Sequence, residues 1–163
     1  VVVDESEGGE KWGYIDKTGK VAIPLQFQEA YDFSEGLAVV MIGAKYGYID
    51  KTGKTVISPS FVSAKAFSEG LAAVLIGEKW GYVDKTGKIV IPPQFDMDVA
   101  SEFSEGLAAV TIGGKYGYID NIGQVVISPQ FDFAADFSDG LALVTFERKL
   151  SYIDKSGKIV IQP

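Results

Sequence analysis

Histidine and cysteine are both missing from the 163 residues of this chain. Without histidine there is no side chain of the commonest general-base, zinc-ligand and pH-switch type. Without cysteine there are no disulfides and no thiol chemistry; this leaves the compartment open, because exported and cytosolic chains alike can lack it. Long apolar runs are absent as well. The longest are of the Leu37–Ile42 kind (LAVVMI), against the roughly 20 residues a membrane-spanning helix requires. Positive charge is in deficit, with 15 Lys and Arg against 22 Asp and Glu, for a net charge of −7. Such a surface repels phosphate backbones and anionic lipid, so neither nucleic acid nor membrane insertion is expected. The chain opens at Val1 without Met and shows no signal peptide, which suggests processing or excision from a longer protein.

What is present is a folded composition, 47% hydrophobic and 23% charged, and above all a repeat. KWGYIDKTGKVAIPLQF at Lys11–Phe27 returns as KYGYIDKTGKTVISPSF at Lys45–Phe61, as KWGYVDKTGKIVIPPQF at Lys79–Phe95 and as KYGYIDNIGQVVISPQF at Lys115–Phe131. A shorter KLSYIDKSGKIVIQP closes the chain at Lys149–Pro163. Equivalent lysines lie 34, 34, 36 and 34 residues apart. Self-similarity at a fixed period of this size is the signature of a repeat architecture.

One unit, Gly36–Phe67, sets out the local structure. Leu37–Ile42 is apolar, partly β-branched and too short for a stable helix, so it predicts a strand buried on both faces. Gly43-Ala44 predicts a tight hairpin. In the next strand Tyr46 and Tyr48 share one face, Gly47 and Ile49 the other. The recurring Gly13, Gly47, Gly81 and Gly117 mark close approach of another backbone or ring, for which a stacked neighbouring sheet is the expected cause. Asp50-Lys51-Thr52-Gly53-Lys54 predicts a turn in which the carboxylate accepts from N–H groups ahead and Gly53 takes the left-handed position. A third strand is expected to end at Pro59. The connector Phe61-x-x-Ala64-x-x-Phe67 matches one turn of helix, its phenylalanines acting as plugs between sheets. The third connector, Phe95 to Phe103, is two residues longer, an insertion suited to a surface loop. The expected fold is all-β: a single domain, 1–163, of five three-stranded antiparallel meanders at about 1–24, 37–59, 71–92, 107–129 and 141–163. Both faces of each sheet require a neighbour. An open superhelical, solenoid-like stack provides one, and a closed five-bladed β-propeller is the alternative. The first hairpin, VVVDESEGGEK, is expected to be longer and more acidic than the rest.

Lys79-Trp80-Gly81 and Lys11-Trp12-Gly13, with the D-x-x-G turn and the F-x-E-G-L-A segment that follow, resemble the bacterial WG-repeat (KWG-repeat) family. The resemblance runs through all five units. Tyr46 and Tyr116 replace the tryptophan, and Leu150-Ser151 carries neither signature residue. The resemblance implies a β-repeat protein, and it brings no catalytic residues and no defined ligand.

Three recurring series are candidate sites. Trp12, Tyr46, Trp80 and Tyr116 would form a ladder of rings for a sugar or a protein partner if exposed, and pack on neighbouring sheets if not. Glu35, Glu69, Glu105 and Asp139, in the Ser-Glu-Gly (once Ser-Asp-Gly) turns, would line an acidic stripe suited to cationic partners. Because they recur in every unit, a solvated turn explains them better than a glycosidase pair, which breaks repeat symmetry. The Asp series of the D-x-x-G turns offers one carboxylate beside lysines, too few oxygens for calcium. No phosphate-binding loop is present, since G-E-K-W-G lacks the following Ser or Thr and helix. The sequence therefore predicts no enzyme, no metal and no cofactor. It predicts a β-repeat interaction or scaffold module for a protein partner, with a carbohydrate or cell-wall module and a structural spacer as alternatives. An exported or cell-surface location is favoured over the cytoplasm.

Overall fold

The computed structural model describes residues 1–4 and 10–161, and the side chains of residue 1 and of residues 10–161. The acidic tip of the first hairpin and the last two residues lie outside the described residues. Among the described residues all regular structure is β, in five separate antiparallel sheets. The first holds Val2–Asp4, Lys11–Ile15 and Val21–Phe27. The second holds Glu29–Ala30, Leu37–Ile42, Lys45–Asp50 and Thr55–Phe61. The third holds Ser63–Ala64, Leu71–Ile76, Lys79–Asp84 and Ile89–Phe95. The fourth holds Ala108–Ile112, Lys115–Ile119 and Val125–Phe131. The fifth holds Phe133–Ala134, Leu141–Phe146, Lys149–Asp154 and Ile159–Ile161.

Two local expectations are corrected. The connectors are not helical; each enters the next sheet as a two-residue strand, or in the third case as a single bridge between Ala100 and Val110. A segment that short covers the edge of the first long strand without leaving a periodic signal in sequence. Nor does the third strand stop at the proline. Thr55–Phe61 runs through Pro59, and its counterparts run through Pro24, Pro92-Pro93 and Pro129. The strand is an edge, where the missing N–H faces no partner and discourages pairing with another chain.

The recurring glycine has a different cause from the one expected. A Cβ on Gly47 would stand 2.6 Å from the Ile57 carbonyl oxygen and 2.7 Å from the Pro59 nitrogen, atoms of the same unit's third strand. The pairing of Lys45–Asp50 with that strand slips between Tyr46 and Tyr48, and the extra backbone presses on the glycine. Gly13, Gly81 and Gly117 meet the equivalent atoms. Close approach was the right inference, but the approaching backbone belongs to the same sheet.

The D-x-x-G turn forms as expected. Asp50 Oδ1 accepts from the Thr52 N–H at 2.8 Å, the Thr52 hydroxyl at 2.6 Å and the Lys54 N–H at 3.1 Å, and Gly53 sits at φ 85°.

The sheets stack through four cores, each shared by two consecutive units. In the joint between units two and three, Leu37, Val39, Tyr48, Ile57 and Phe61 meet Ala72, Val74 and Val83, with Phe67 of the connector between them. The plug geometry repeats. Tyr14, Tyr48, Tyr82 and Tyr118 pack on Phe33, Phe67, Phe103 and Phe137 at ring-centre distances of 4.9, 4.8, 5.0 and 4.8 Å. Each tyrosine hydroxyl donates to a connector carbonyl, of Tyr31, Lys65, Ser101 and Ala135 respectively. Burial raises the pKa of all four hydroxyls, and Tyr14 is pushed up to about 12.

Alternation within one strand shows that the array is open. In the three middle sheets both members of the pairs Tyr48/Ile49, Tyr82/Val83 and Tyr118/Ile119 are fully buried. In the first sheet Tyr14 is buried but Ile15 is 44% exposed; in the last, Ile153 is buried but Tyr152 is 40% exposed. Five sheets with four cores leave one face uncovered at each end. A closed five-bladed ring would have covered both.

Candidate functional site

The aromatic series lies near the hairpin ends of the central strands, with Trp12 beside the connector that leaves its unit and Tyr46 bonded to the connector that enters its own. Trp80 is buried, and Trp12, Tyr46 and Tyr116 are half-buried. The Trp80 indole N–H donates to the Met97 carbonyl at 3.0 Å, and the Tyr46 hydroxyl donates to Glu29 at 2.7 Å. Tyr116 packs against Phe133 with ring centres 5.9 Å apart. A ladder of fully exposed rings is therefore not what the rim presents. Exposed apolar groups include Ile42, Ile112 and Leu150 beside the hairpin turns and one residue in each connector, namely Tyr31, Val62, Met97 and Phe133, the last four between 43% and 54% exposed. Sequence reasoning missed these four. The available signal was an apolar side chain one, two or four residues after Phe27, Phe61, Phe95 or Phe131, in a segment that is otherwise small or polar.

The first unit departs from the others. An open pocket of about 380 Å³ is lined by Glu10, Trp12, Gln28, Glu29, Ala30 and Tyr31. The Glu29 carboxylate accepts from both Tyr31 and Tyr46 hydroxyls, at 2.8 and 2.7 Å, and is thereby held in place. The positions equivalent to Tyr31 are Lys65, Ser101 and Ala135, so two rings beside two carboxylates occur here and not in the later units.

The Ser-Glu-Gly turns fasten neighbouring units together. Glu35, Glu69, Glu105 and Asp139 all have left-handed backbone, at φ 50–53°, a conformation that costs a non-glycine residue about 1–2 kcal/mol. The first three offset that strain across the joint. Glu35 accepts from the Gly70 N–H at 3.1 Å, Glu69 from Gly106 at 2.9 Å and Glu105 from Gly140 at 3.1 Å. The adjacent serines reach the same way. Ser34, Ser68 and Ser104 hydroxyls donate to the Phe67, Phe103 and Phe137 carbonyls at 2.7, 2.7 and 2.8 Å. Lys85 pairs with Glu35 at 3.1 Å and Lys155 with Glu105 at 3.0 Å; the position that would pair with Glu69 is Asn121. These carboxylates are exposed but already committed to the next unit.

Across the described residues no three Asp or Glu side chains gather as a metal site. At the hairpin rim the Lys79 and Lys115 ammonium groups pair with the connector acids Asp96 and Asp132.

These contacts hold several carboxyls below the usual range. For Glu35 and Glu105 the first cause is the lysine bond, and for Asp96 and Asp132 likewise. For Asp16, Asp50, Asp84 and Asp154 it is the bond from the Thr or Ser hydroxyl of the turn. A carboxyl with a lowered pKa in the folded state stabilises above its unfolded value, and that contribution is lost as pH falls through the folded value. The urea midpoint is therefore expected to hold steady near neutrality and to fall continuously below about pH 4.5. A midpoint that rises on acidification would contradict these bonds.

Comparison with known proteins agrees with the repeat count. The family model described as a WG containing repeat matches residues 12–46, 46–80, 80–116, 116–149 and 151–163. No curated protein matches the chain. Among solved structures, Kluyveromyces lactis Hsv2 (complete loop 6CD) is similar at TM-score 0.50 and 14% identity, over 80% of this chain and 47% of that one. The chain thus spans about half of Hsv2, and the likeness concerns fold alone. A Bacteroides caccae protein of unknown function aligns at TM-score 0.42 and 16% identity, over 99% of this chain and 71% of that one. A Cicer arietinum lectin with two metal binding sites aligns at 0.35 and 14%, over 85% and 92%.

Proposed function

Because the chain belongs to the WG-containing repeat family and its five matches run from residue 12 to residue 163, we propose that it is a non-catalytic interaction module that holds a protein partner along its hairpin rim. The observation that carries this reading is that each connector exposes an apolar side chain, Tyr31, Val62, Met97 or Phe133, with Phe133 packed on Tyr116 and Tyr31 sharing a pocket with Trp12. Repeat arrays present extended surfaces, and aromatic or methionine side chains exposed on them are the usual anchors of a protein contact. Enzymatic use is disfavoured because the recurring carboxylates are engaged in fastening units together.

The test is retention of proteins from source-cell extract on the immobilised chain, on a Met97→Ser/Phe133→Ser variant and on a Val21→Ser control. Val21 is exposed on an edge strand away from the row. One specific protein should be retained by the native chain and the control and lost from the row variant. Equal retention by all three, or none, would refute the reading. The pocket beside Trp12 and Tyr31 favours a second reading, a carbohydrate module, in which rings stack on a sugar and carboxylates accept its hydroxyls. Binding to a glycan array or peptidoglycan that disappears in Trp12→Ala would support it.

A further inference from the structure

The D-x-x-G turns lie at the strand ends away from the hairpins, where Leu37 faces Asp50 across the second sheet. In four units the turn carries two lysines around a hydroxyl residue: Lys17-Thr18-Gly19-Lys20, Lys51-Thr52-Gly53-Lys54, Lys85-Thr86-Gly87-Lys88 and Lys155-Ser156-Gly157-Lys158. The fourth unit instead reads Asn121-Ile122-Gly123-Gln124. The turn itself is unaltered. Asp120 still accepts from the Ile122 and Gln124 N–H groups at 3.1 and 2.8 Å, and Gly123 keeps a left-handed φ of 84°. What the unit gives up is the hydroxyl bond to the aspartate that Thr18, Thr52, Thr86 and Ser156 make at 2.6 Å. In its place stands Ile122, at 64% the most exposed large apolar side chain among the described residues.

The same change frees a charge. Lys85 and Lys155 reach back to Glu35 and Glu105 at 3.1 and 3.0 Å. Asn121 takes their position opposite Glu69. That carboxylate is exposed and keeps its bond from the Gly106 N–H, but it has no cationic partner among the described residues. Apolar surface adjoins it. One joint earlier, Thr86, Gly87 and Ile89 line a groove with Val56 and Ile57. Here those positions are Ile122, Gly123, Val125, Val90 and Ile91, and Ile91 stands 2.8 Å from a Cβ built on Gly123. Ile122, Val125 and Val90 are all exposed. We propose that this joint, between the third and fourth units, docks a segment of a protein partner that carries a lysine or arginine next to an aliphatic or aromatic side chain. The cation takes the place on Glu69 that a lysine of the chain fills in the joints on either side, and its apolar neighbour covers Ile122. Charge selects the joint. Every other turn sets two lysines against such a segment, and this one sets none, so the like-charge repulsion that turns it away elsewhere is missing. The site lies at the opposite strand ends from the hairpin rim, and neither reading depends on the other.

Selection from a random-peptide display library on the immobilised chain tests it. Fluorescence anisotropy then compares binding of the enriched peptides to the native chain, to Glu69→Gln and to the triple variant Asn121→Lys/Ile122→Thr/Gln124→Lys. Glu69→Gln keeps an acceptor for the Gly106 N–H and removes only the charge. The triple variant rebuilds the turn of the other units. Enriched peptides should carry Lys or Arg beside an apolar residue, and both variants should bind them at least about tenfold more weakly. The thermal midpoint of the triple variant should be no lower than that of the native chain, because it regains the hydroxyl bond and the lysine clasp. Loss of binding in a protein at least as stable separates a docking site from a structural one. Met97→Ser/Phe133→Ser should bind the peptides as the native chain does, which keeps this result distinct from that of the hairpin rim. No enrichment, peptides of acidic or uncharged sequence, or undiminished binding by the triple variant would overturn the proposal.

Discussion

Gly81→Ala should remove about 3 kcal/mol of stability, near the upper end of what an inserted carbon costs in a packed site. The new Cβ would stand 2.6 Å from the Ile91 carbonyl oxygen, 2.8 Å from the Pro93 nitrogen and 3.0 Å from the Pro92 carbonyl carbon. All three are backbone atoms, so relief requires the third strand to move away from Lys79–Asp84, with the loss of its ladder and of the core contacts of Ile91 and Phe95. The backbone at Gly81 is not left-handed, so the cost is steric. Gly77→Ala provides the contrast. Gly77 sits at φ 62° with nothing within 4 Å of a built Cβ, and its loss should be only the conformational cost of about 1 kcal/mol. Urea unfolding of the two variants gives the comparison. If Gly81→Ala proved no worse than Gly77→Ala, the crowding read from the structure would be wrong.

Phe103→Ala should cost about 3–5 kcal/mol, the usual range for removing a buried phenylalanine, and should also change how the protein unfolds. Phe103 is 2% exposed, packs 5.0 Å from the Tyr82 ring and belongs to the core shared by the third and fourth sheets. In an array each unit contacts only its neighbours, so a weakened joint uncouples what lies on either side. Hydrogen exchange should therefore show units four and five opening at lower denaturant than units one to three, where the native chain opens together. Phe133→Ala is the control. Its ring is 45% exposed, and an exposed substitution should stay within about 0.5 kcal/mol. A small loss with one undivided transition in Phe103→Ala would show that the joint is not where the stability lies.

Both predictions bear on the functional reading. A stack held by four separate joints keeps its rim straight only while each joint holds. The exposed residues Tyr31, Val62, Met97 and Phe133 lie one in each of the four connectors. Weakening one joint should therefore disrupt a partner that contacts the whole row more than a partner that contacts one connector.

The local chemistry of a unit was legible without coordinates. The 34-residue recurrence states the architecture, and short apolar runs bounded by Gly and Asp turns state strand and hairpin. Asp50 ahead of Gly53 states its own hydrogen bonds, since an Asx turn needs only residues within four positions. Connector phenylalanines with no helix long enough to bury them had to be plugs. What the sequence could not disclose depends on which atoms meet across a unit or between units. Two-residue strands such as Glu29–Ala30 are too short for alternation to register. The reason for Gly47 lies in a strand ten residues on, whose slip in register no pattern records. The Glu35 bond to Gly70 joins residues 35 positions apart, so a carboxylate that reads as a free surface charge is in fact a clasp. Tyr152 and Tyr118 have nearly the same neighbours in sequence, yet one is exposed and the other fully buried. That difference exists only in the stack, because burial is decided by whether another sheet stands opposite.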